Sequence, residues 1–256
     1  MSNPILIFDY DGVLLDSVRE IAVTAYNMLN GTIATRLDQL PQTALDLFLR
    51  NRFHVQPIGD APILMKWCLE LGESDPDKLL TPEEYADIIQ QADEPVAART
   101  TRFFETRNLF KARDIEAWRA LNAPVQPLWR ILMNSPTENL VLLTNKNLDA
   151  TISLSTHFGL KINKDNIYAG DHGTTKIENM TRIMQRFNKP AYAFIDDSVK
   201  NLREIDTHFN RQAKIISLLF ATWGYIGPDD ARTAENFGYQ VVTVGEFAES
   251  LQTMKL

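Results

Sequence analysis

The sequence predicts an α/β protein: a parallel sheet with helices on both faces, into which an all-helical segment is inserted. Three observations carry this reading. Short apolar runs without alternation recur along the chain, as in strands buried on both faces. Helical patterns separate them, the alternation that builds parallel sheets. Between about residues 18 and 121 only helical signals are found.

Ile5-Leu6-Ile7-Phe8 is the first expected strand and Leu140-Val141-Leu142-Leu143 the second. Further strands are expected at 167–169, 191–195, 213–220 and 239–244. Helices are expected at 149–157, 176–187, 202–209 and 246–251. Within the insertion, Ser17-Val18-Arg19-Glu20 reads as a capping box opening a helix through Leu29. Thr81-Pro82-Glu83-Glu84 reads as a second, with Pro82 at the first helical position. Residues 45–53, 61–71 and 97–121 also read as helices, the last one broken. The domain organisation is therefore a core of 1–17 and 122–256 with a helical domain of 18–121.

A chain of 256 residues, 45% hydrophobic and 23% charged, can bury a sizeable core. Its net charge of -7 argues against nucleic acid as a partner, since backbone phosphates are met by clustered cations. Cys68 is the only cysteine, which excludes a disulfide within the chain and fits a reducing compartment. No apolar run approaches the ~20 residues that span a bilayer. The start MSNPILIFDYDG has no basic stretch and its apolar run is broken by Asp9. A cytoplasmic protein without a membrane partner is expected.

In sheets of this kind ligands gather at the carboxyl ends of the strands. Asp9 and Asp11 follow the first strand two residues apart, so both can face one ligand if the extended geometry continues. Two close carboxylates repel unless they share a proton or a cation, and an oxygen-rich pair suits a hard cation such as Mg²⁺. The plainer reading is an Asp11-Gly12 turn. Thr144-Asn145-Lys146 follows the second strand and offers a hydroxyl and backbone N–H groups to a phosphate oxygen, or simply caps a helix. Lys176 opens a helix and could neutralise a carboxylate and a phosphoryl group, although a single lysine is usually solvated. Asp196-Asp197 follow another apolar run, where adjacent acids are costly without a cation or many donors.

Taken in this order, DYDGVLLDS, LLTNK, Lys176 and FIDDSVKN make the sequence resemble the haloacid dehalogenase-like superfamily. The resemblance is to its phosphatase branch with a helical, C1-type cap, which includes phosphoglycolate phosphatases and beta-phosphoglucomutases. It implies a Rossmann-like core, a cap domain, and Asp9 as nucleophile and Mg²⁺ ligand. Asp11 is then the general acid and base, its backbone carbonyl reaching the metal. Thr144 holds a phosphoryl oxygen, helped by the backbone of Asn145, and Lys176 steadies Asp9 and the transferred group. Asp197 is the implied metal-ligating acid, Asp196 assists through the metal or its waters, and Asn201 supports them. Lys176 is followed by Ile177 where many relatives carry proline; Lys161 and Lys164 are the nearest substitutes, at a less suitable loop position.

The implied activity is Mg²⁺-dependent hydrolysis of a small phosphorylated metabolite through an aspartyl phosphate. A phosphomutase of the same superfamily and a non-catalytic phosphate-dependent binding protein are the alternatives. Asp11 speaks for phosphoryl transfer, since dehalogenases of the superfamily generally lack it. Arg99, Arg102, Arg107, Lys111 and Arg113, beside Phe103, Phe104 and Phe110, read as a solvated helix face paired with Glu105 and Asp114, or as a contact for an anionic substrate. Trp67, Trp118 and Trp129 read as core, and Trp223-Gly224-Tyr225 as packing that could border the site. Of the histidines only His172, before Lys176, could approach the pocket.

Overall fold

A computed structural model describes residues 4–71, 74–136 and 140–253. The chain divides into two compact units: Met1–Asp16 with Pro124–Leu256, and Ser17–Ala123.

The first unit is built on β1 (Ile5–Phe8). The two-residue strands β2 (Leu15–Asp16) and β3 (Ala123–Pro124) stand where the chain passes between the units. After α7 (Leu128–Met133) come β4 (Leu140–Leu143), α8 (Leu148–His157), β5 (Ile167–Tyr168), α9 (Lys176–Phe187) and β6 (Tyr192–Asp196). Then follow α10 (Val199–Phe209), β7 (Ile216–Ala221), α11 (Asp230–Asn236), β8 (Gln240–Val242) and α12 (Val244–Thr253). Six strands form a parallel sheet in the order β5-β4-β1-β6-β7-β8. The chain runs outward from β1 to one side and then to the other, so β1 lies at the switch in strand order, where such sheets bind ligands.

The apolar strands are covered on both faces, which explains why their sequences do not alternate. Ile5 and Ile7 pack with Met180 and Ile183 of α9, Leu202 and Ile205 of α10, and Ala234 of α11. Phe8 points the other way, and its ring meets Phe247 of α12 at 5.8 Å between centroids. On that side Tyr10 meets Trp129 of α7 at 6.3 Å. Each such side chain contributes about 1.5–3 kcal/mol by burial.

The expected strand at 213–220 begins only at Ile216. The amides of Ile215 and Ile216 both donate to Asn210 Oδ1, at 3.1 and 3.0 Å, which holds that corner outside the strand. Trp129 reads as part of a helical pattern without bounds, and it lies in α7 with Leu128 and Leu132 also buried. α11 has no expectation: of its seven residues Ala234 alone is buried, so it shows no readable stripe.

The second unit is helical: α1 (Val18–Asn30), α2 (Gln42–Asn51), α3 (Ala61–Leu71), α4 (Pro82–Gln90), α5 (Val96–Arg113) and α6 (Ile115–Ala120). The Thr81 capping box forms: Glu84 N donates to Thr81 Oγ1 and Thr81 N to Glu84 Oε2. The Ser17 box does not. Ser17 makes no side-chain cap bond, and the Glu20 carboxylate turns inward instead. It accepts Arg107 Nε at 2.9 Å, Arg107 Nη2 at 2.8 Å and Thr24 Oγ1 at 2.8 Å.

The same pair corrects the reading of a solvated basic face on α5. Arg99 and Arg107 are buried, and Arg99 binds Asp60 and the carbonyls of Gly59 and Glu94. Only the outer positions fit the solvated reading; Arg102, for instance, pairs with Glu94 at 2.7 Å and is half exposed. The expected break in 97–121 falls at Asp114, whose φ of -158° leaves the helical region while its carboxylate caps α6 through Ala117 N. Trp118 and Trp129 are fully buried and Trp67 partly so. The side chain of His172 lies outside the described residues. Among the described residues no helix is long and apolar enough to cross a membrane.

Candidate active site

β1 delivers Asp9 to the carboxyl edge of the sheet, where its N–H donates to Ile195 O at 2.9 Å. The neighbouring β6 ends on Asp196, with Asp197 next in the chain. Carboxylate oxygens of Asp9, Asp196 and Asp197 lie within 4.8 Å of one another, and all three residues are buried. Lys176 enters from α9, which the Thr175–Glu178 capping box starts at this residue. Its Nζ stands 2.9 Å from Asp9 Oδ1 and 2.6 Å from Asp196 Oδ2. Lys161 and Lys164 are exposed.

The electrostatics follow from burial. Desolvation pushes the Asp9 carboxyl well above the usual carboxylate range; Lys176 opposes this, while Asp196 and Asp197 add to it by repulsion. Burial also disfavours the Lys176 ammonium, but Asp196 and Asp9 outweigh it and keep the lysine charged. Lys176 thus stands between two of the three buried acids. The all-oxygen donor set of Asp9, Asp196 and Asp197 fits a hard divalent cation such as Mg²⁺.

The three acids are not equivalent. Asp196 Oδ1 accepts from Ser198 N at 2.8 Å and Oδ2 from Lys176, while Asn201 Nδ2 donates to both, at 3.2 and 3.0 Å. Both of its oxygens therefore accept from protein donors, Lys176 among them. Asp197 Oδ2 accepts from Tyr225 N at 2.6 Å. A side chain on Gly12, at φ +88°, or on Gly224 would collide with the Asp197 carboxylate. Glycine at both positions leaves room for that group.

The Asp11-Gly12 turn is present, Gly12 N donating to Leu15 O at 2.8 Å, but it does not leave Asp11 in solvent. Asp11 Oδ1 and Oδ2 accept from Lys146 Nζ at 2.9 and 3.1 Å. Thr144 follows β4, which pairs with β1, and its hydroxyl accepts from Lys146 N at 3.0 Å. Asn145 is exposed, and its backbone lies against Gly170, where a Cβ would come within 2.8 Å of Asn145 O.

Asp9, Lys176, Asp196, Asp197 and Asn201 thus form one linked cluster, with Asp11 and Lys146 paired and Thr144 on the adjoining strand end. Reasoning from sequence gave Lys146 no role. The chain bends after β4, with Lys146 N donating to Thr144 Oγ1, so strand alternation could not have placed its side chain. The Trp223-Gly224-Tyr225 loop reads as packing that could border the site, and it does border it, its backbone holding Asp197. Trp223 Nε1 donates to Val13 O at 2.9 Å and Tyr225 Oη to Asp16 Oδ1 at 3.1 Å, anchoring it to the first segment.

No protein-family model matches the chain, and no curated protein does. Solved structures do. A predicted phosphoglycolate phosphatase from Haemophilus somnus superposes with a TM-score of 0.60 at 14% identity, covering 98% of this chain and 97% of that one. A haloacid dehalogenase-like protein of unknown function from Agrobacterium tumefaciens gives 0.54 at 14%, covering 99% of both. Protein Tyrosine Kinase A from Mycobacterium tuberculosis gives 0.54 at 16%, covering 98% of this chain and 99% of that one. Neighbours named for different activities share the architecture, so the likeness speaks to fold while chemistry is argued from the site. The chain has the α/β fold of the haloacid dehalogenase-like proteins over essentially its whole length.

Proposed function

We propose that this chain is a Mg²⁺-dependent phosphatase of the haloacid dehalogenase-like superfamily, hydrolysing a small phosphorylated metabolite in the cytoplasm through an aspartyl phosphate on Asp9. The observation that carries this is the Lys176 bridge between Asp9 and Asp196 with Asp197 beside them. A buried carboxylate held by an ammonium, beside carboxylates that could bind a second cation, is a nucleophile prepared for an anionic substrate.

Mg²⁺ would be held by Asp9 and Asp197, with the Asp11 carbonyl and the environment of Asp196 completing the site, and would neutralise charge between carboxylate and phosphoryl oxygens. Lys176 favours the ionised form of Asp9 against the desolvation that opposes it, and offsets the same repulsion from the other side. An Asp9 carboxylate oxygen attacks phosphorus, and the ester P–O bond breaks with its electron pair on the leaving oxygen. Asp11 gives that oxygen a proton. A water oxygen then attacks phosphorus while Asp11 takes a proton from it. The bond between phosphorus and Asp9 breaks, its electron pair returning to the carboxylate, and inorganic phosphate leaves. The Thr144 hydroxyl and the Asn145 backbone bind phosphoryl oxygens. The helical domain, 18–121, acts as the cap that selects the substrate.

Phosphate release from a panel of phosphorylated metabolites tests this, with Mg²⁺, with excess chelator, and with Asp9→Asn. We expect release that needs Mg²⁺ and falls at least roughly a thousandfold in the variant. Equal release from Asp9→Asn and the parent protein would overturn the proposal.

A further inference from the structure

We propose that Lys146 is a positioning residue for the reaction: it holds the Asp11 carboxylate where that group meets water during hydrolysis of the aspartyl phosphate. This rests on the phosphatase reading and adds to it a residue outside the expected set.

The lysine is itself tightly placed. Its side chain is 1% exposed, its N–H donates to Thr144 Oγ1 at 3.0 Å, and its carbonyl accepts from Gly170 N at 3.3 Å. Gly170 can come this close because it has no side chain: a Cβ would stand 2.8 Å from Asn145 O. The backbone of Lys146 is thus clamped on both sides, with its ammonium aimed at Asp11. Burying an ammonium costs several kcal/mol unless a counter-charge is supplied, and the Asp11 carboxylate supplies it. Both Asp11 oxygens face Nζ, at 2.9 and 3.1 Å.

Asp11, by contrast, is on a turn, and its side chain is 22% exposed. A carboxylate there would sample several rotamers if left to solvent, and a base in the wrong rotamer does no work. Lys146 selects one orientation. The step it serves has water oxygen attacking phosphorus, the proton passing to an Asp11 oxygen, and the phosphorus–Asp9 bond breaking with its electrons returning to Asp9. One Asp11 oxygen can keep its contact with Nζ while the other takes the proton.

The effect separates from a general loss of structure. Lys146→Met keeps the length of the side chain and removes the ammonium. With p-nitrophenyl phosphate, whose leaving group departs without a proton, the variant should still transfer phosphate to Asp9 in a rapid burst of nitrophenol. Steady turnover should then fall about 100-fold while acid-quenched phosphoenzyme accumulates. In an Asp11→Asn background the same substitution should cost less than about threefold, because the lysine acts through Asp11. A crystal structure of Lys146→Met should show the Asp11 carboxylate displaced. A burst slowed as much as turnover, a change confined to KM, or an Asp11 carboxylate unmoved in the crystal would overturn the inference. Loss of activity in Asp11→Asn with Lys146→Met unaffected would sink it alone. A parent protein that releases no phosphate from any substrate would sink the phosphatase reading instead, and the crystal structure would still decide whether Lys146 places Asp11.

Discussion

Gly224 lies close against the Asp197 carboxylate, and a Cβ there would strike it. Tyr225 N, the next backbone group, donates to the same oxygen at 2.6 Å. Gly224→Ala must therefore push Asp197 aside, and overpacking of this kind costs about 1–3 kcal/mol. If Asp197 holds Mg²⁺, the concentration giving half-maximal activity should rise roughly tenfold, and the increase in melting temperature on adding Mg²⁺ should shrink. Unchanged values for both would remove Asp197 from the metal site. At this scale the acids were legible because each follows an apolar strand, where an unpaired carboxylate is costly. Lys146 and Gly224 were not. What gives them significance is a partner 135 residues away in one case and the position of the Asp197 carboxylate in the other.

Among the elements, α1 shows how a local pattern is overridden. Ser17 and Glu20 have the spacing of a capping box, which would save about 1 kcal/mol. Glu20 instead enters a buried bidentate pair with Arg107, 87 residues on, where its side chain is 0% exposed. Removing one partner of such a pair leaves a buried charge uncompensated. Glu20→Ala should lower stability by about 3–5 kcal/mol, measured by urea unfolding. A loss below about 1 kcal/mol would show that Arg107 finds another partner. Thr81 and Glu84 lie at the surface, where Glu84 Oε1 accepts from Lys78 Nζ while Oε2 accepts from Thr81 N, and their box forms as the sequence suggests. The long apolar strands were likewise readable, and α9 spans the expected residues Lys176–Phe187. Short elements such as α11 were not, because one buried residue makes no period.

For the whole molecule, the helical unit is an insertion, entered after Asp16 and left at Ala123. Two backbone crossings are its only covalent links to the sheet. If it serves as the proposed cap, it can hinge to exclude water during phosphoryl transfer. Hydrogen exchange at residues 16–18 and 122–125 should slow on adding vanadate with Mg²⁺, relative to the sheet. Identical exchange with and without the analogue would count against cap closure.

By itself the sequence determined the parallel sheet and where its acids stand, because strand burial and the strand-end position of polar groups are local properties of the chain. It also determined that residues 18–121 are helical, through the spacing of their apolar positions. Apart from Lys176 on Asp9, which the resemblance implied, only tertiary structure decided how the charges pair. Lys176 bridging Asp9 to Asp196, Lys146 on Asp11, and Arg107 on Glu20 join residues 167, 135 and 87 positions apart. A charged side chain leaves water only when a counter-charge is brought to it, and which counter-charge arrives is set by how the strands and helices pack.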